Sequence, residues 1–119
     1  MVREGKGEII IKIKTGASID DCNPDILLAL IKVAPIYARQ GVDTVVTSGS
    51  EHYKHHATRS AHYRGDAIDL RVKNIDAIKR GNVFTAIKRK LGPHYVVLYE
   101  GKGKPWEHIH MHYSPIYRP

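Results

Sequence analysis

The sequence predicts an α+β fold. The expectation is one small domain, with helices on one face of a mainly antiparallel sheet and an open cleft on the other. Three observations lead there. The chain has 119 residues, 42% of them hydrophobic, which suits one modest core. Short β-rich runs and two longer segments of helical periodicity follow one another in the order βαββαββ. No repeat, linker or low-complexity segment interrupts them, so residues 1–119 read as a single domain.

Each element has a local reason. In residues 8–14, EIIIKIK, Ile9, Ile11 and Ile13 alternate with Ile10, Lys12 and Lys14, which predicts a strand at a sheet edge. TGAS then turns the chain. Residues 23–41 predict a helix: Asn23 at the N-cap, Pro24 at the first helical position, Asp25 at the positive end of the dipole and Gly41 as the stop. Pro35 is expected to bend this helix or break it in two. Residues 43–49, DTVVTSG, predict a short apolar strand, followed by a long polar loop over residues 50–64. In residues 65–72, GDAIDLRV, Ile68, Leu70 and Val72 share one strand face and Ala67, Asp69 and Arg71 the other. Residues 74–92 predict the second helix, with Ile75, Ile78, Val83, Ile87 and Leu91 buried and Gly81 as a weak point. HYVVLYE (94–100) and WEHIHMHY (106–113) are the last two strands, joined by a GKGKP turn.

Composition excludes several classes of function. The single cysteine, Cys22, rules out an internal disulfide and a CxxC zinc knuckle, so metal chemistry here must use histidines and carboxylates. No stretch approaches the ~18 consecutive apolar residues of a membrane span. The N-terminal MVREGKGEIIIKIK carries charges throughout its apolar run and does not read as a secretory signal. Synthesis in the cytoplasm without a signal peptide is the expectation, with any action outside depending on another route. A formal net charge of +7 fits either a solvated basic face or attraction to a polyanion such as nucleic acid or an anionic cell wall. In IKRGNVFTAIKRK, helical spacing puts Lys79, Arg80, Lys88, Arg89 and Lys90 mostly outside the apolar stripe, which favours a solvated face. No nucleic-acid motif is present, so nucleic acid is not the expected partner.

The chemistry concentrates in SAHYRGDAIDL (60–70) and WEHIHMH (106–112). Asp69 lies mid-strand, on the face that also takes a His62 folded back by the Tyr63–Gly65 turn. A carboxylate in an apolar strand is costly unless it is paired or metal-bound. Arg71 or a backbone amide would satisfy it as well as a metal would. His108, His110 and His112 alternate onto one strand face, either as metal ligands or as a solvated edge. One histidine and one aspartate from the first segment plus one histidine from the second complete the three protein ligands of a catalytic zinc. His52 and His55 read as exposed loop residues, and His94 as structural.

Together these segments resemble a known family. Ser60-x-His62-x-x-Gly65-x-Ala67-x-Asp69, joined to Glu107-x-x-His110-x-His112 and preceded by VVTSG (45–49), is similar to the zinc D-alanyl-D-alanine carboxypeptidases and dipeptidases. Relatives of that family include phage endolysins that cleave L-alanoyl-D-glutamate bonds. The resemblance runs from about Val45 to His112 in the same order. It implies one zinc per chain held by His62, Asp69 and His110 in the cleft, with Glu107 as the catalytic carboxylate, general base and then acid. It also implies supporting roles for Ser60 and for His112, the latter not as a ligand. The implied activity is a metallopeptidase that hydrolyses amide bonds in peptidoglycan stem peptides, of the D-Ala-D-Ala or L-Ala-D-Glu type. A phage or prophage product acting at the bacterial cell wall, alone or as part of a phage particle, would fit the basic charge. One departure stands out: Ser50-Glu51 occupies the place where relatives often carry an aromatic-arginine pair that helps to bind substrate. Arg59 or His56 would be its replacement, and Arg59, His56 or Tyr63 would add to transition-state stabilisation. The alternative reading is a non-catalytic, zinc-stabilised structural or wall-binding module, such as a virion component.

On ideal alternation Glu107 points away from His110. A catalytic role therefore requires Glu107 to precede the regular strand, or to sit at a bulge.

Overall fold

A computed structural model describes residues 8–51 and 60–116. The elements run β1 (Ile11–Ile13), α1 (Pro24–Arg39), β2 (Thr44–Ser48), β3 (Ala67–Arg71), α2 (Arg80–Leu91), β4 (Tyr95–Glu100) and β5 (His108–Tyr113). They form a five-stranded sheet in the order β1-β2-β3-β5-β4. The β1–β2 pairing is parallel; β2–β3, β3–β5 and β4–β5 are antiparallel. The α+β class and the βαββαββ order are as the sequence predicts.

The core lies between the helices and one sheet face. Ile26, Ala29, Leu30, Val33 and Tyr37 of α1 and Val83, Ile87 and Leu91 of α2 meet Val46, Ile68, Leu70, Val97, Ile109 and Met111 of the sheet. Period-two alternation does the sorting: with these residues turned toward the helices, Asp69, His108, His110 and His112 face the other way. Among the described residues, no helix is long and apolar enough to cross a membrane.

Several local expectations need correction. α1 runs unbroken through Pro35. The carbonyl that Pro35 leaves without an i−4 donor belongs to Ile31, which is exposed, so water can satisfy it. Asn23 occupies the N-cap position but makes no cap hydrogen bond; its amide donates instead to the Arg64 carbonyl and the Asp66 carboxylate. The second helix starts later than its sequence suggests, because Ala77–Lys79 form a 3₁₀ turn. That tighter winding shifts the phase, and Ile78, expected in the core, is 86% exposed. Arg80 is not a solvated-face residue: its guanidinium donates to the Ile75 and Lys73 carbonyls and to Glu107.

The turn that presents His62 is docked on the segment before α1. The Asn23 N–H donates to the Gly65 carbonyl at 2.8 Å. Gly65 has φ +78°, and a Cβ there would stand 2.3 Å from the Asp21 carbonyl oxygen. Gly65→Ala should therefore lose about 2–4 kcal/mol, combining left-handed strain with backbone overpacking. Denaturant unfolding measures this, and a variant of unchanged midpoint would contradict the docking.

Candidate metal centre

Asp69 and His110 are direct cross-strand partners on β3 and β5. His62 reaches them from the turn before β3. Its Nε2 lies 3.2 Å from Asp69 Oδ1, and His110 Nδ1 lies 2.9 Å from the same oxygen. The His62 and His110 rings sit edge to face with centroids 5.2 Å apart. One ligand atom from each of the three residues falls within 4.8 Å of the others, so the group can hold a metal ion. Two imidazole nitrogens and one carboxylate oxygen make a donor set that suits zinc and other first-row divalent ions.

The remaining ring nitrogens have partners that orient the ligands. His62 Nδ1–H donates to the Gly49 carbonyl at 3.0 Å, which leaves Nε2 directed at Asp69. His110 Nε2 lies 2.8 Å from His112 Nδ1. Such outer contacts fix ring orientation and tautomer in metal sites. His112 thus touches the cluster through His110. His108, on the same face, bonds Glu100 at 2.9 Å and the Trp106 carbonyl at 2.7 Å, with Asp69 Oδ2 3.6 Å away. Asp69 takes these imidazoles as partners, rather than Arg71.

Electrostatics follow from the packing. Burial opposes ionisation of Asp69, yet hydrogen bonds from His110 and His62 and the nearby imidazole charge outweigh it and hold the carboxyl well below its usual range. Burial pushes His62 down, but the Asp69 carboxylate and the Gly49 carbonyl prevail and its pKa is raised. His112 is pushed down, first by burial and then by His110.

Glu107 stands just before β5, which begins at His108, so it escapes strict alternation. Its carboxylate is not among the groups converging on Asp69. It accepts hydrogen bonds from the Tyr99 hydroxyl and, at 3.3 Å, from Arg80. The Tyr99 bond, together with the Arg80 charge, overrides partial desolvation and holds Glu107 below its ordinary pKa. Burial and the carboxylate in turn push Tyr99 up to about 12. Glu107 and Asp69 nevertheless line one cleft of about 780 Å³.

The other predicted residues are dispersed. Ser60 Oγ accepts the Tyr63 N–H at 3.1 Å and so shapes the His62 turn. Tyr63 is exposed. His94 accepts the Ile116 N–H, a contact that ties down the C-terminal segment. His52, His55, His56 and Arg59 lie outside the described residues.

Sequence reasoning missed Glu51, which it treated only as a departure from a pattern. The buried Glu51 carboxylate accepts the N–H groups of Ser18 and Gly49 and the Ser48 hydroxyl. It therefore fixes the residue whose carbonyl orients His62. Burial opposes its charge, but those hydrogen bonds dominate and bring its pKa from 4.5 to about 2. A depressed carboxylate pKa contributes stability that is complete above the unfolded value and lost as pH falls through the folded one. Glu51→Gln should cost about 1.5–3 kcal/mol at neutral pH. The gap from wild type should close as pH falls from 4.5 toward about 2. Urea titrations at several pH values check this; a gap that is constant with pH would deny the charge its role.

Against protein-family models, curated proteins and solved structures alike, the chain finds no match. The functional reading therefore rests on the chemistry of the site and on the resemblance of its two sequence segments.

Proposed function

We propose that the chain is a zinc-dependent metallopeptidase that hydrolyses amide bonds in peptidoglycan stem peptides. The observation that carries this reading is the meeting of His62, Asp69 and His110, from a turn and two strands, at one point beside a cleft. The resemblance of both sequence segments to zinc D-alanyl-D-alanine peptidases supplies the substrate class.

His62 Nε2, an Asp69 oxygen and His110 Nδ1 would hold the ion. A zinc bound there would lower the pKa of water from ~15.7 toward ~7 and polarise the amide carbonyl. Glu107, ionised at neutral pH, is the group for accepting the proton of the attacking water and returning it to the leaving amine. Tyr99 and Arg80 keep its carboxylate charged and fixed at the cleft wall, while Gly49 and His112 hold the two imidazoles in register.

The test is direct. Zinc-loaded protein should release defined peptide fragments from purified peptidoglycan, read by mass spectrometry, and a chelator should stop the release. One zinc per chain with no cleavage of any stem peptide would reject the peptidase reading. It would favour a non-catalytic, zinc-stabilised module, such as a virion component. The observation behind that second reading is that Tyr99 and Arg80 already engage the Glu107 carboxylate. Chelation would then lower the melting temperature and nothing else.

A further inference from the structure

The cleft beside Asp69 carries more positive charge than its own carboxylates use. Asp69, Glu107, Arg71, Lys14, Lys73 and Trp106 are among its lining residues. Asp69 is engaged by His62 and His110, and Glu107 by Arg80 and Tyr99. Among the described residues, no hydrogen bond or ion pair engages the side chains of Arg71, Lys14 or Lys73. Arg71 is the informative one. It is half-buried, on the strand face that carries Asp69, and directly opposite His108 on β5. A guanidinium that lines a cleft with no anionic partner beside it is placed to take one from a ligand.

We propose that Arg71 is a specificity-determining residue that binds a carboxylate of an acidic peptide substrate, with Lys14 and Lys73 adding positive field and Trp106 an apolar wall. The proposal rests on the peptidase reading and gives its cleft a substrate-binding cation on β3. A guanidinium offers a planar two-pronged donor that matches a carboxylate. Arg71 is two residues beyond Asp69, about 7 Å along the strand. That distance equals about two extended peptide residues. The carboxylate it reads therefore belongs within two residues of the cleaved amide. It is either the C-terminus of a short peptide or the free carboxylate of a glutamate beside that bond.

Trp106 is the chain's one tryptophan and lines this cleft, so its fluorescence reports occupancy independently of turnover. The experiment titrates zinc-loaded wild type, Arg71→Ala, Arg71→Lys and Lys90→Ala with three synthetic stem pentapeptides. One has both carboxylates free, one is amidated at its C-terminus, and one has the free carboxylate of its D-glutamate converted to the amide. Cleavage is followed separately by chromatography. Arg71→Ala should weaken binding of the free acid by about ten- to a hundredfold, the range for a lost charge-assisted hydrogen bond. Arg71→Lys should recover only part of it, and Lys90→Ala, exposed on α2, should match wild type. Whichever neutralised peptide loses affinity for wild type but shows no further loss with Arg71→Ala identifies the carboxylate. Zinc content and melting temperature should hold in Arg71→Ala, because among the described residues the side chain makes no hydrogen bond or ion pair.

Equal affinity of Arg71→Ala and wild type for the free acid would overturn the proposal. So would an equal loss across all three peptides, or no binding by wild type. Binding that depends on Arg71 without cleavage would sustain the carboxylate site and reject the peptidase reading. Cleavage with an unchanged KM in Arg71→Ala would do the reverse.

Discussion

Asp69→Asn should abolish stoichiometric zinc binding, with the affinity falling by more than the roughly 10–100-fold that follows loss of a partner outside the ligand set. The reason lies in the geometry. Asp69 Oδ1 is the oxygen on which both imidazoles converge, at 3.2 and 2.9 Å. Asparagine keeps the shape and removes the charge, so the site would offer a dication two neutral imidazoles and a neutral amide. Stability tests the same point. A ligand that binds only the folded state stabilises it by about 2.7 kcal/mol at a hundred times its Kd. Zinc at that concentration should raise the melting temperature of wild type and leave Asp69→Asn unmoved. His94→Gln, away from the cluster, should behave as wild type. Equilibrium dialysis with metal analysis reads the stoichiometry. One zinc retained by Asp69→Asn would place any metal elsewhere and remove the basis of the functional reading.

Glu107→Gln should keep zinc and fold while lowering peptide hydrolysis by about 10²–10⁴-fold, the usual range for a positioned general base. Glutamine can keep its one oxygen toward Arg80 and donate its amide N–H to the Tyr99 hydroxyl oxygen, so the contacts that fasten the start of β5 survive with one direction reversed. What disappears is the capacity to take a proton. A purely structural Glu107 predicts the opposite pattern: a lower melting temperature with turnover per folded molecule intact. The Tyr99 and Arg80 contacts make this a demanding test, because they stabilise the ionised carboxylate and reduce its basicity. Tyr99→Phe removes one of them and should move the acid limb of the pH–rate profile upward.

Much of the fold was legible because it follows from periodicity. Alternation in GDAIDLRV assigned Ile68 and Leu70 to one face and Asp69 to the other, and alternation in HIHMHY put His108, His110 and His112 on a common face, as the structure has them. Failures occurred where local winding or tertiary contact overrode a pattern. Ile78 lost its buried phase to a 3₁₀ turn. Asn23 left its cap for the His62 turn, and Arg80 left solvent for Glu107. None of these has a signal at short range, since each partner lies far along the chain or depends on a change of helical pitch.

By itself, then, the sequence determined the class, the order of elements and which side chains share a face. These depend on backbone period and apolar placement, and both are local properties. Tertiary structure decided which of those faces meet and in what register. The pairing of Asp69 with His110 sets one imidazole against the carboxylate, and the Gly49 carbonyl aims the second. It also decided the surroundings: the Glu51 clasp, the Tyr99 and Arg80 grip on Glu107, and an Arg71 left facing an open cleft. Cross-strand register and the partners of charged groups are set by packing between distant segments. No window along the chain contains that information.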